Sequence, residues 1–267
     1  RALTPQPVLI FRPRELNQTD AEAASREGEQ QRTAVIGRLL ANDYGALIIT
    51  AAAAVQKLPP NAVFRNFLIS LKTGSTVDPE TLCQKLLNAG YERMRLADGP
   101  GQFARRGDII DIVPSAAEDR QEAQGIRLSF FDQELDAIKR FDPQSQRSSE
   151  MLAETVVPPV REWLIAPDMH DHLAEQMAAA GQESYSQALA LGSTREAADQ
   201  VRQLARHDAE KIAARLHFNA LDRWLALLYP DAASILDYAV GENTLIFLDE
   251  PLRFRNRMDA AQAEWDE

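Results

Sequence analysis

Cysteine is nearly absent from this 267-residue chain, where Cys83 stands alone. An internal disulfide and a cysteine-built metal cage are therefore excluded. No run of 18 apolar residues occurs, so no segment reads as a membrane-spanning helix. The chain opens on Arg1 without a charged-then-apolar leader pattern, and it is expected to be a piece of a cytoplasmic protein. Positive charge is in deficit: 29 Lys and Arg stand against 40 Asp and Glu, a net charge of −11. Nucleic-acid binding over the whole surface is disfavoured, because phosphate neutralisation needs a basic face. What remains is ordinary: 45 % hydrophobic and 26 % charged residues, enough for one large domain or two to three small ones.

Pattern and charge divide the chain into blocks. Residues 1–64 carry a net charge of +1, residues 65–157 of −3 and residues 158–267 of −9. In the first block, Val8–Phe11 reads as a buried strand. Asn17-Gln18-Thr19-Asp20 offers N-cap chemistry for a helix ending near Leu40. Ala46–Thr50 follows as a second strand, and Ala51–Leu58 as a short helix stopped by Pro59-Pro60. Strand, helix, strand, helix implies a layered α/β domain with a parallel sheet. The middle block predicts a strand over 67–72 and a helix capped by Asp78 and stopped at Gly90. Short strands then follow at 91–97, 102–105, 108–113, 126–131, 134–141 and 154–157, an antiparallel-rich α+β unit. The last block is expected to be helical from Asp168 to Tyr229, with loops near Gly181 and Gly192-Ser193. A strand over Thr244–Leu248 should pair with the first block, making blocks one and three a single discontinuous domain. Residues 252–267 read as a linker helix or a charged tail.

Several residue groups invite chemical readings. Asp249-Glu250 at the end of an apolar run resembles the acidic pair that holds Mg²⁺ in phosphate-loop ATPases. Its required partner, a loop ending Gly-Lys-Ser/Thr, is missing from the sequence, so a structural acidic pair is the better reading. His170 and His172 flank Asp171, but on a helix two residues apart point about 200° away from each other and cannot share an ion. Ser184, Ser186, His207 and His217 have no triad spacing. Cys83 beside Leu82, Leu86 and Leu87 reads as a core cysteine.

The informative stretch is 99–148. Ile126-Arg127-Leu128-Ser129-Phe130-Phe131 alternates, so Ile126, Leu128 and Phe130 face one way and Arg127, Ser129 and Phe131 the other. An outward phenylalanine next to an arginine suits a docking patch. Arg105 or Arg106, on a nearby strand end, would extend it. The competing reading has Phe131 packed under a loop or on block one and the arginines solvated.

Two longer runs carry a resemblance: Gly101-Gln102-Phe103-Ala104-Arg105-Arg106-Gly107-Asp108-Ile109-Ile110-Asp111-Ile112-Val113-Pro114, and residues 126–148 from Ile126-Arg127-Leu128-Ser129-Phe130-Phe131 to Gln146-Arg147-Ser148. Together with Ala46–Thr50, Gln56-Lys57-Leu58-Pro59-Pro60 and Leu248-Asp249-Glu250-Pro251, they resemble the UvrB-like module shared by the excision-repair protein UvrB and the bacterial transcription-repair coupling factor. Three departures place the chain nearer the N-terminal region of the coupling factor. It passes directly from Ala51 to Pro60 where UvrB has an aromatic-rich hairpin. It reads Asp-Glu-Pro where UvrB-type ATPases continue Asp-Glu-Ser-His. Val157-Pro158-Pro159-Val160-Arg161-Glu162-Trp163 resembles the coupling factor's exit linker.

The resemblance implies a degenerate helicase-like (RecA-like) domain at 1–64 and 158–251, interrupted by an inserted UvrA-binding domain at 65–157. It implies that UvrA is met by Arg106, Arg127 and Phe131, with Arg105 a further contributor; a further acidic position of the family is Ser129 here. No cofactor is expected in this region. ATP, Mg²⁺, DNA and RNA polymerase are implied for other parts of the parent translocase, along with an intramolecular contact to its C-terminal domain. The alternative is an ATP- and DNA-binding part of a UvrB excinuclease subunit.

Overall fold

The computed structural model describes residues 6–14, 26–116, 124–216, 218–239, 241 and 244–266. The Asn17–Asp20 cap and His217 lie outside them. Chain contacts group the described residues into two compact units. One holds the described residues up to 164 and from 233 onward, the other those of 165–232.

The first unit begins with β1 (Val8–Phe11), α1 (Arg26–Leu40) and β2 (Ala46–Ile49). The two strands pair in parallel, with Leu9 opposite Leu47. Thr50 caps α2 (Ala51–Val55) through its hydroxyl, and α3 (Asn61–Asn66) follows Pro59-Pro60. Leu9, Phe11, Val35, Ile36, Leu39 and Phe64 form its core with Leu164 and Ile235.

The remainder of this unit is sheet. β3 (Ile69–Lys72) pairs antiparallel with β10 (Glu154–Val157). Between them run α4 (Pro79–Asn88), β4 (Glu92–Arg93), β5 (Gln102–Arg106), β6 (Ile109–Val113), β7 (Gly125–Phe131), β8 (Glu134–Phe141) and β9 (Ser148–Leu152). These six strands lie side by side in sequence order; only β4 and β5 are parallel. Asp78 caps α4 by accepting from the Thr81 N–H at 2.8 Å, and Gly90 ends it at φ +91°, a conformation that favours glycine. Leu82, Cys83 and Leu86 of α4 pack on one sheet face against Ile110, Ile112, Leu128, Phe130 and Ile138. On the other, Ala97, Ala104, Val113 and Phe141 make a small second core.

The second unit holds α5 (His170–Ala190), α6 (Arg195–Ala213), a 3₁₀ turn over Asn219–Trp224 and α7 (Leu225–Leu228). Returning to the first unit, α8 (Ile235–Ala239) joins block one: Leu58 and Ala233 form a β-bridge and the Tyr238 hydroxyl donates to the Pro59 carbonyl at 2.6 Å. A final helix, α9, spans Pro251–Asp266.

Three expectations need correction. The run Thr244–Leu248 forms no strand. It is exposed, with Leu245 at 80 % and Phe247 at 88 %, because an apolar run favours extended backbone without naming a partner strand. The strand expected at 91–97 shrinks to Glu92–Arg93. Its continuation turns where the Gln102 side-chain oxygen accepts the N–H groups of Asp98 and Gly99, both at 3.1 Å.

Gly181 is not a loop, since α5 runs through it unbroken. A Cβ there would lie 2.3 Å from the Ala205 Cβ, so glycine lets α6 approach, offsetting its helix cost of about 1 kcal/mol. Gly181→Val is expected to destabilise this helix pair by about 1–3 kcal/mol through overpacking. Thermal unfolding followed by circular dichroism checks it, and an unchanged midpoint would contradict the close approach.

Candidate functional site

Two tight turns bring the site together. β5 and β6 are joined by Gly107-Asp108, with Arg106 opposite Ile109, and Gly107 adopts φ +59°. β7 and β8 are joined by Asp132-Gln133, with Phe131 opposite Glu134 and Asp132 at φ +55°. The Phe130 N–H donates to the Asp108 carbonyl at 2.8 Å, so the two tips lie side by side at one end of the sheet.

Register then decides which side chains share the face away from α4. Arg106 is opposite Ile109, and Ile109 is opposite Ser129. Phe131 stands two residues beyond Ser129. Its neighbour Phe130 is buried in the core while Phe131 is 78 % exposed, so the ring is not packed under a loop. Ile109 is 36 % exposed and continues the apolar strip towards Arg106. Asp108, Asp132 and Glu134 are exposed at the same tips, which makes this a mixed face rather than a basic surface for phosphates.

The arginines behave differently from one another. Arg105 lies opposite the core residue Ile110 and points to the α4 side, where it pairs with Glu80 at 2.7 Å. It is thereby separated from the other three, correcting its expected place in the patch, because successive strand residues face opposite ways. Arg106 and Arg127 both reach Asp111, which is 0 % exposed. Arg106 Nη2 donates to Asp111 Oδ2 at 2.5 Å. Arg127 donates from Nε to Oδ1 at 2.6 Å and from Nη2 to Oδ2 at 3.0 Å.

Arg127 makes further bonds, to the Gln146 carbonyl and Ser148 Oγ at 3.1 Å each and to Gln146 Oε1 at 3.3 Å. Its guanidinium carbon sits 4.7 Å from the centroid of the Phe141 ring. Its side chain is 16 % exposed against 48 % for Arg106. Of the expected cations, only Arg106 stands out to solvent.

Asp111 and Ile109 escaped the sequence reading. Alternation within Ile109-Ile110-Asp111-Ile112 puts Asp111 on the outer face, but only register reveals that it meets two arginines. β9 was also missed: Ser148-Ser149-Glu150 lacks an apolar alternation, as suits an exposed edge strand.

The other candidate groups have surroundings of their own. Cys83 is buried, and burial raises its pKa, leaving an unreactive thiol. His170 Nδ1 lies 3.1 Å from the Ala166 carbonyl at the start of α5. Asp249 and Glu250 are exposed, with Glu250 paired to Arg253 at 2.9 Å. Among the described residues no three His, Cys, Asp or Glu side chains converge as a metal site, and no helix is long and apolar enough to cross a membrane.

Comparison with known proteins places this face in a recognised family. Residues 69–163 match the UvrB interaction domain. Over 261 residues the chain is 31 % identical to the transcription-repair-coupling factor of Bacillus subtilis (strain 168), covering 96 % of this chain and 21 % of that protein. It is 27 % identical over 241 residues to the transcription-repair-coupling factor of Staphylococcus aureus (strain MRSA252), covering 88 % of this chain and 19 % of the relative. The corresponding protein of Staphylococcus haemolyticus (strain JCSC1435) is 26 % identical over 242 residues, or 89 % and 19 %. The chain spans about a fifth of the length of these curated relatives.

Proposed function

We propose, on the premise that this chain is a UvrB-like region of the kind carried by transcription-repair-coupling factors, that it recruits UvrA. The observation that carries the reading is Phe131, a ring left 78 % exposed in a sheet whose other face is a closed core. A solvated aromatic beside a half-exposed arginine has the composition of an interface anchor. UvrA would cover Phe131 and Ile109 and set a carboxylate against Arg106, a charge-assisted contact that fixes orientation.

On the same reading, the first block is a degenerate helicase-like domain. The parallel β1–α1–β2 arrangement supports it, and the sequence has no Gly-Lys-Ser/Thr with which to cradle phosphates. This region would be non-catalytic. ATP and Mg²⁺ would serve a motor elsewhere in the parent protein, which would translocate along DNA and displace stalled RNA polymerase.

Titration calorimetry with purified UvrA tests the proposal. Binding is expected at low ionic strength and should weaken with added salt, as contacts between partly exposed charges do. No heat at low salt rejects it. Stoichiometric heat from ATP and Mg²⁺ without UvrA would instead favour the nucleotide-binding alternative.

A further inference from the structure

Taking UvrA as the partner, we infer that Asp111 is the positioning residue of the docking face: it converts Arg127 into an internal anchor and aims Arg106 at the partner. Hydrogen-bond capacity is the first argument. An arginine has five N–H donors, and those of Arg127 go to Asp111, Gln146 and Ser148. None is left for a partner carboxylate. Among the described residues Arg106 bonds through Nη2, to Asp111, and its side chain is 48 % exposed.

Charge is the second argument. One fully buried carboxylate between two guanidiniums leaves a single net positive charge, and exposure assigns it to Arg106. With Asp108, Asp132 and Glu134 exposed at the same tips, the partner chemistry is one carboxylate for Arg106 beside an apolar recess for Phe131 and Ile109, since a doubly acidic cluster would meet those carboxylates. Arg127 has a separate task. Gln146, which accepts twice from Arg127, sits at φ +59° and donates to the carbonyls of Ala97 and Pro143 at 3.1 and 2.7 Å. The anchor therefore ties the turn before β9 to the outer face of the sheet.

A double-mutant cycle on UvrA binding by the 267-residue chain tests the positioning role. Arg106→Gln should weaken binding about tenfold in the unsubstituted chain, but less than about threefold in an Asp111→Asn background, where the arginine is no longer aimed. It should also flatten the salt dependence. A purely structural Asp111 predicts about the same factor in both backgrounds, and that result overturns the inference. Arginine side-chain NMR of the free chain needs no substitution and no partner. The Arg127 Nε–H should exchange slowly with water and the Arg106 Nε–H quickly; equal fast exchange overturns the anchor. If the unsubstituted chain gives no heat with UvrA, the recruitment reading and the aiming of Arg106 fall, while the exchange rates still decide the anchor.

Discussion

Glu162→Ala should destabilise the chain by about 3–5 kcal/mol, the usual consequence of removing one member of a buried ion pair. Against a total stability of about 5–15 kcal/mol, this is a large share of what holds the chain folded. Glu162 is 1 % exposed and Arg32 3 %. Arg32 Nη2 lies 2.6 Å and Arg14 Nη2 3.0 Å from Glu162 Oε1. Gln56 accepts from Arg32 Nη1 at 3.1 Å, and the two arginines lie over the rings of Phe11 and Trp163. Without the carboxylate, two guanidiniums would remain largely buried with only the weaker influence of Glu29 to offset Arg32. Glu162→Gln retains shape and one acceptor and should cost less.

The same cluster sets an acid limit. Burial alone would raise the Glu162 pKa, but Arg14 and Arg32 outweigh it and hold it at about 2. A depressed carboxylate contributes stability that is complete above its unfolded value of about 4.5 and is lost as pH falls towards about 2. The stability gap between the unsubstituted and Glu162→Ala chains should therefore close across that window. Urea unfolding at neutral pH and at intervals below pH 4.5 measures it. A gap that stays constant with pH would mean the carboxylate is not held by its arginines.

Phe131→Ala should weaken UvrA binding by on the order of 2 kcal/mol, about thirtyfold, as loss of an aromatic anchor does. Its effect on folding should stay within about 0.5 kcal/mol, because the side chain is already solvated. The adjacent Phe130 is the internal control. At 7 % exposure in the α4-side core, Phe130→Ala should cost about 3–5 kcal/mol of stability. Calorimetry with UvrA beside thermal melts separates the two effects. Unaltered affinity for Phe131→Ala, with the melt also unaltered, would remove this face as the docking surface.

Phe130 and Phe131 also show what could be read without coordinates. Their opposite destinations follow from the two-residue period of a strand, as do the inward Ile126 and Leu128. The Asp78 cap and the Gly90 stop follow from chemistry within one helical turn. The resemblance picked out Arg106, Arg127 and Phe131 but could not show that Asp111 binds both arginines. Glu162 was legible only as part of an exit linker. In the fold, Tyr91 donates from its hydroxyl to the Pro158 carbonyl at 2.7 Å, the Val160 N–H donates to the Ala89 carbonyl at 2.9 Å, and Glu162 joins Arg14 and Arg32.

Sequence by itself therefore determined most of the local elements, the opposite faces of Phe130 and Phe131 on β7, and the kinship of residues 69–163. Tertiary structure alone decided that Arg105 leaves the face, that Arg127 is consumed internally, and that Thr244–Leu248 forms no strand. The reason lies in range. Period, caps and turns depend on residues a few positions apart, which the chain spells out in order. Ion-pair and strand partners depend on register between segments far apart in sequence, and register exists only once the sheet has closed.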